Sequence, residues 1–223
     1  MSDASHLTSV EARVLGCLIE KEISTPDYYP MTLNSLMAAC NQRSNRDPVT
    51  EWDEAAIEAG LDGLRRQRLA VMIHMAGSRV PKYKHTIDAV YGSLDPAMIA
   101  VLCELLVRNF QTPGELRTRT ERLDSVQDLA GLEATVERLA NYGSGALLTI
   151  LPPGGGRRVR TVAHLFCGPV DESSSPSPAA QAPATIIPPP ADWKADMEAE
   201  IRALKAEVAS LRETVERLKE VLD

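Results

Sequence analysis

Apolar residues recur at helical spacing in successive segments at the start of the chain. The first helix opens at a capping box of Thr8 and Glu11, in which each side chain satisfies a free amide at the helix start. A short second helix begins at Thr32 and ends near Cys40. The first helix carries Val14, Leu15, Leu18 and Ile19 on one face, and the second carries Leu33, Leu36 and Met37.

A third helix and a hairpin follow. Thr50 and Asp53 form a weaker capping box, and the helix after them ends near Arg68. Two β-prone runs, residues 69–74 and 82–87, then flank a turn that contains Gly and Pro. This part of the chain therefore predicts three helices closed by a β-hairpin.

The same order then repeats with little identity. Asp95 caps a helix whose first residue is proline, and Thr112 opens a second capping box. A third helix ends at Gly143, and residues 146–151 and 159–166 predict a second hairpin around "PPGGGRR". The period is about 80 residues, which indicates an internal duplication of architecture.

Three helices and a hairpin are the order of the winged-helix form of the helix-turn-helix. The predicted fold class is mainly α with small β-hairpins (α+β), as two tandem winged-helix domains over residues 1–90 and 91–168. Two generic α+β mini-domains are the alternative. Residues 169–192 are rich in Pro, Ser and Ala and predict a flexible linker.

Residues 193–223 carry an apolar repeat with alternating spacings of four and three. The repeat consists of Met197, Ile201, Leu204, Val208, Leu211, Val215, Leu218 and Leu222. Mostly β-branched residues at position a with Leu at most d positions favour a parallel two-stranded coiled coil. The chain is therefore predicted to be a homodimer joined through this helix.

The composition favours a soluble chain in a reducing cytoplasm. No apolar run has membrane-spanning length, and no leader pattern is present. The four cysteines are far apart and the four histidines form no cluster, so neither a disulfide nor a metal site is predicted. The formal net charge is −7, but the first 168 residues hold 18 basic and 20 acidic side chains and are close to neutral.

No motif indicates an enzyme or a cofactor site. The "PPGGGRR" run lacks a following Gly-Lys-Ser/Thr and joins two β-prone runs, so it is interpreted as a hairpin turn. No Ser or Cys lies in a nucleophile elbow, and no carboxylate pair stands apart from the helix charges. The prediction is a protein without catalytic activity, cofactor or metal.

Three stretches resemble the YceH family of uncharacterised bacterial proteins: "LTSVEARVLGCLIEKE", "TPDYYPMTLNSLMAACNQRSNRDPV" and "RNFQTPGELRTRTERL". The resemblance covers about residues 7–168. It implies two tandem winged-helix domains in a bacterial cytoplasm. It implies no established activity, substrate, cofactor or functional residue.

Charge is unevenly distributed around the predicted third helix. Residues 47–62 contain six acids and no base, whereas residues 63–87 contain six bases and no acid. Helix-dipole complementarity explains part of this pattern. An acidic helix start is unsuited to the DNA phosphates that a helix-turn-helix contacts there, so the hairpins are the better phosphate-facing candidates.

The polar stretch "NQRSNRDP" has two interpretations. Asn41 and Asp47 are favoured as structural, because such side chains satisfy free groups at helix ends. The arginines could equally serve structure or phosphate contact, and asparagine can read adenine edges. The predicted nucleic-acid contacts are Arg43, Asn45, Arg46, Arg79, Lys82, Lys84, Arg157, Arg158 and Arg160.

These observations favour a regulatory protein that binds double-stranded DNA through its hairpins and the loop around Arg43. The alternative is a winged-helix module that binds a protein partner and no specific DNA, which the acidic third helices favour. No membrane partner is predicted. An enzyme without a recognisable motif is a third, weaker hypothesis.

Overall fold

The computed structural model describes residues 6–74, 80–92, 94–123, 128–143, 145–153 and 159–170. The first half contains α1 (Ser9–Ser24), a 3-10 turn (Pro26–Tyr28), α2 (Leu33–Cys40), α3 (Glu54–Arg66), β1 (Ala70–Ile73), β2 (Lys82–His85) and α4 (Ile87–Tyr91). The second half contains α5 (Pro96–Arg108), α6 (Pro113–Thr120), α7 (Leu129–Ala140), β3 (Leu148–Leu151) and β4 (Thr161–His164). The predicted coarse class, helices with small β-hairpins, is confirmed.

Local signals place most helix starts. Thr8 and Thr112 each form a complete capping box, and Thr32 and Asp95 accept a hydrogen bond from an amide of the following turn. The prediction for α3 was wrong in detail, because Asp53 is the capping residue and not one member of a box with Thr50. The Thr50 hydroxyl instead donates to the carbonyl of Cys40.

The hairpins are both antiparallel and lie where the sequence predicts them. In the first, Val71 faces Lys84 across the strands, and β3 pairs with β4 in the same way. Each hairpin also bridges to a residue just before the second helix of its half, Met31 with Tyr83 and Gln111 with Val162. The short helix α4 was not predicted, because it has no side-chain cap to mark its start.

The two halves share one hydrophobic core, and α1 packs directly on α5. The crossing is close at Gly16, where an added Cβ would lie 2.8 Å from the Cβ of Leu106. The Cys103 thiol donates to the Gly16 carbonyl at 3.4 Å. The segment before α1 also contacts the segment after β4, since the Leu7 amide donates to the Phe166 carbonyl at 2.7 Å. Residues of both halves therefore form one compact unit.

Candidate functional site

The loop that joins α2 to α3, residues 41–53, is held by Asn41. Its side-chain amide donates to the Trp52 carbonyl at 2.7 Å and its side-chain oxygen accepts from the Trp52 amide at 2.9 Å. One side chain thus closes the loop across eleven positions. The structural interpretation of Asn41 is confirmed. The backbone amide of Asp47 donates to the Val107 carbonyl near the end of α5, but the exposed side chain of Asp47 forms no hydrogen bond within the described residues, so a structural role for that side chain stays a prediction.

Arg46 lies inside the protein, and the expectation that it is an exposed phosphate contact is wrong. The residue is 5% exposed, and its Nε donates to the Ala39 carbonyl at 2.9 Å. The guanidinium donates to both carboxylate oxygens of Glu20, at 3.3 and 2.5 Å. Glu20 is 1% exposed on α1, and a buried carboxylate is stable only with a partner of this kind.

This pair belongs to a larger network of charged side chains between the two halves. Arg122 reaches Glu20 at 2.8 Å and Glu104 at 2.6 Å, so it joins the two buried carboxylates. Arg108 contacts Glu104 at 3.2 Å and also donates to the side chain of Asn45. Because Asn45 precedes Arg46, the contacts close into a ring. Asn45 is thereby engaged within the protein.

The duplication explains why two buried glutamates share Arg122 as a partner. Glu20 lies four residues before the last residue of α1, and Glu104 lies four residues before the last residue of α5. Each receives an arginine from the segment that follows the second helix of a half, Arg46 in the first and Arg122 in the second. The only sequence signal for this network is an acid within the apolar stretch of each first helix, which the sequence analysis did not predict to be buried.

The electrostatics of Glu20 follow from these contacts. Burial alone raises the pKa of a carboxyl, because it disfavours the charged form. The hydrogen bonds and the charge of Arg46, with smaller contributions from Lys21 and Arg122, outweigh burial and lower the pKa of Glu20 below its ordinary value. Glu20 is therefore held ionised, and the network carries three arginines against two glutamates.

The two lysines of the first hairpin that are predicted to contact phosphate are more exposed than Arg46 and are not paired as Arg46 is. Lys84 is exposed and Lys82 is half-buried, and they lie on the same side of β2 because Tyr83 between them points inward. Neither lysine forms an ion pair with a carboxylate in the described ranges, and neither does exposed Arg43. Arg79 lies outside the described residues.

In the second hairpin, Arg160 forms an ion pair with Glu133 of α7. Arg157 and Arg158 lie outside the described residues. So do the coiled-coil residues Met197, Ile201, Leu204, Val208, Leu211, Val215, Leu218 and Leu222. The predicted dimer and the predicted linker therefore stay predictions.

The exposed face of α3 is acidic. Asp53, Glu54, Glu58 and Asp62 are all exposed at or after the helix start. Arg65 at the helix end is engaged by Asp62 at 2.8 Å. Phosphates that approached this face would be repelled, as the sequence pattern indicated.

The described ranges contain no group of three or more His, Cys, Asp or Glu side chains placed to hold a metal ion. Among the helices in those ranges, none combines the length and the apolar character needed to cross a bilayer.

Comparisons with known proteins agree with the resemblance seen in the sequence. Residues 7–157 match the family model described as "Protein of unknown function, DUF480". A UPF0502 protein of Pelobacter propionicus is 46% identical over 214 residues, which cover 96% of each chain. A UPF0502 protein of Vibrio cholerae is 49% identical over 169 residues, which cover 74% of this chain and 78% of the relative. A UPF0502 protein of Opitutus terrae is 45% identical over 199 residues, which cover 89% of this chain and 83% of the relative. The chain therefore belongs to the DUF480 (UPF0502) family, the YceH-type proteins that its sequence resembles.

Proposed function

We propose that this chain is a DNA-binding regulatory protein without catalytic activity, built from two tandem winged-helix units. Support comes from topology. In each half a β-bridge before the second helix joins the hairpin, at Met31 with Tyr83 and at Gln111 with Val162. The resulting order of helix, bridge, two helices and hairpin supports the proposal, because it is the order expected of the winged-helix form of the helix-turn-helix.

The observation that carries the proposal is the lysine pair on the first hairpin. Lys82 and Lys84 share one side of β2 and have no carboxylate partner in the part of the chain that the structure describes. A cation that is not neutralised within the protein remains available to a phosphate. Each phosphate that it neutralises releases condensed counterions from DNA, which favours binding.

The acidic face of α3 dictates how the duplex is approached. Glu54 and Glu58 are exposed where a helix-turn-helix inserts its recognition helix. Repulsion between these carboxylates and phosphates disfavours that insertion. The proposed contact is therefore made by the first hairpin and Arg43, without entry of α3 into the major groove. Residues 193–223 add avidity by pairing two copies.

The test is binding to short duplexes by fluorescence anisotropy between about 50 and 200 mM salt. Lys82→Gln combined with Lys84→Gln should weaken binding and reduce the slope of log affinity against log salt by about 2. The control is Arg117→Gln with Arg138→Gln, which removes the same charge from arginines that already pair with Glu121 and Asp95. Equal effects of the two double variants, or no duplex binding by the parent chain at low salt, overturn the proposal.

The acidic face of α3 favours a second candidate function, binding of a basic protein partner. Replacement of Glu54 and Glu58 by lysine distinguishes the two candidates. If the chain binds DNA, the double variant removes repulsion and binds duplexes at least as tightly as the parent. If the chain binds a basic partner through this face, the variant loses a partner that the parent retains on co-purification from its cells.

A further inference from the structure

An open cleft of about 510 Å³ lies between the two halves of the described unit. Its walls include Ala12, Arg13 and Trp52 from the first half and Leu106, Phe110 and His164 from the second. Sites for small molecules occupy roughly 300–1,000 Å³ and combine an apolar lining with a few polar groups. The cleft has both properties, and it is separate from Lys82 and Lys84.

Arg13 is a buried cation beside this cleft that lacks a carboxylate partner. It is 4% exposed, and it donates to the carbonyls of Cys40 at 3.2 Å and Pro48 at 2.8 Å. Its Nε has no hydrogen-bond partner, and no carboxylate of the described residues lies within ion-pair distance. Arg46, by contrast, has Glu20. Buried guanidinium groups are ordinarily paired with anions, so Arg13 departs from the usual pattern among the buried arginines that the structure describes.

The indole of Trp52 compensates Arg13 only in part. The guanidinium carbon lies 5.7 Å from the centre of the Trp52 ring, within the range of a cation–π contact. Such a contact supplies attraction without a full countercharge. Asp47 also lines the cleft, but its side chain is exposed at the rim and forms no ion pair with Arg13.

His164 contributes a neutral polar group to the opposite wall. It is buried, and its Nδ1 has no hydrogen-bond partner among the described residues. Burial lowers the pKa of His164 to about 4, so the imidazole is uncharged near neutral pH and can donate or accept a hydrogen bond. Arg13 is therefore the buried cation of the cleft, and the charge of Asp47 at the exposed rim acts on it without an ion pair.

We propose that this cleft binds a small, largely apolar carboxylic acid, with the carboxylate beside Arg13 and the apolar part between Trp52, Leu106 and Phe110. The charge of Arg13 selects an anion, and the apolar lining selects a ring or a short chain over a polar anion such as phosphate. Lining residues come from both halves, so the bound acid contacts both. This inference does not depend on DNA binding.

The test uses benzoate as the probe and benzamide as its uncharged counterpart. The chain has two tryptophans, so Trp193→Phe leaves Trp52 as the sole tryptophan, which excitation beyond the tyrosine absorption band observes selectively. Benzoate should change Trp52 emission saturably with a Kd of about 1 mM or below, as expected for a ligand of roughly ten heavy atoms. Benzamide should bind at least about tenfold more weakly, since it lacks the charge that Arg13 recognises.

A blocking variant and its control locate the binding. Ser9 is exposed and lines the cleft, so Ser9→Phe fills the space and should abolish the benzoate response. Ala134→Phe places the same side chain on the exposed face of α7 and should leave the response unchanged. A response that survives Ser9→Phe, or equal affinities for benzoate and benzamide, overturns the proposal.

The chain's own acids provide a further decisive comparison. Asp171 and Glu172 follow directly after Val170, which lines the cleft. If benzoate binds the parent chain and the Asp171→Asn, Glu172→Gln variant alike, the site is open to an external acid, as proposed. If benzoate binds only the variant, the chain supplies its own carboxylate and the proposal is wrong.

Discussion

Arg46 and Glu20 form a buried ion pair at 2.5 Å that links the loop after α2 to α1 across 26 positions of sequence. Both side chains are at most 1% exposed. The pair anchors one residue of an otherwise exposed polar loop in the interior. It also connects, through Arg122, to the equivalent buried glutamate of the second half, so the duplicated helices α1 and α5 are joined by charge as well as by apolar packing.

Removal of Arg46 tests the importance of this pair. Arg46→Met leaves Glu20 with a weaker set of partners in a buried position, and the free energy of unfolding should fall by about 3 kcal/mol. Arg43→Met, three positions earlier on the exposed side of the same loop, should change it by no more than about 0.5 kcal/mol. Urea denaturation measures both variants, and similar losses would contradict a special role for Arg46.

A coupled substitution separates charge burial from packing. In the Arg46→Met background, Glu20→Gln removes the carboxylate that has lost its main partner. The double variant should therefore be more stable than the sum of the two single effects predicts, because residues in direct contact are not additive. Additive losses would mean that Arg46 acts through its packing alone.

Because His164 is buried, we expect part of the free energy of unfolding to be lost at acidic pH. Burial lowers the pKa of His164 from its ordinary 6.5 to about 4, so between these values the unfolded chain binds a proton at this residue and the folded chain does not. The contribution of His164 is fully present above pH 6.5 and is lost as the pH falls toward 4. From about pH 7.5 to pH 4.5 the loss is about 2.5 kcal/mol.

The variant His164→Phe should flatten this part of the profile. Its free energy of unfolding, measured by urea denaturation at each pH, should fall by about 2 kcal/mol less than that of the parent over the same interval. An unchanged pH profile would show that His164 does not stay neutral in the folded protein.

Because α1 and α5 approach closely at Gly16, replacement of glycine by alanine should lower the stability there and raise it at the open position Gly114. Gly16→Ala puts a methyl group 2.8 Å from side-chain carbons of Leu106 and Val107 and should cost about 2 kcal/mol of stability. Gly114→Ala, in α6, meets nothing within 4 Å and should add up to about 1 kcal/mol, because alanine favours the helix. Thermal unfolding followed by circular dichroism compares them, and a tolerated Gly16→Ala would mean that the crossing is looser than described.

The apolar repeat of residues 193–223 predicts a dimer that two charges should abolish. Leu204→Asp with Leu211→Asp places like charges at two d positions of a parallel coil, and the chain should become monomeric. Ala203→Asp with Ser210→Asp adds the same charge at outer positions of the heptad and should leave the dimer intact. Light scattering across micromolar concentrations is the measurement, and a monomeric parent chain would refute the prediction.

Several features of the fold were determined by the sequence itself. The caps at Thr8, Thr32, Asp95 and Thr112 involve atoms within three residues of one another, and the hairpins follow from short β-prone runs around turns. Such signals act locally, so the pattern of residues is enough to predict them. The acidic start of α3 was also visible in the sequence, because a run of charged residues at a helix start is exposed in most folds.

Only the tertiary structure decided the roles of Arg46, Arg13 and Arg43. All three look alike in sequence, as arginines in or near the first helices. Arg46 is buried against a carboxylate 26 positions away, Arg13 is buried without one, and Arg43 is exposed. The cost of burying a charge is settled by which distant groups surround it, and that depends on how α1, α5 and the loop between α2 and α3 pack together.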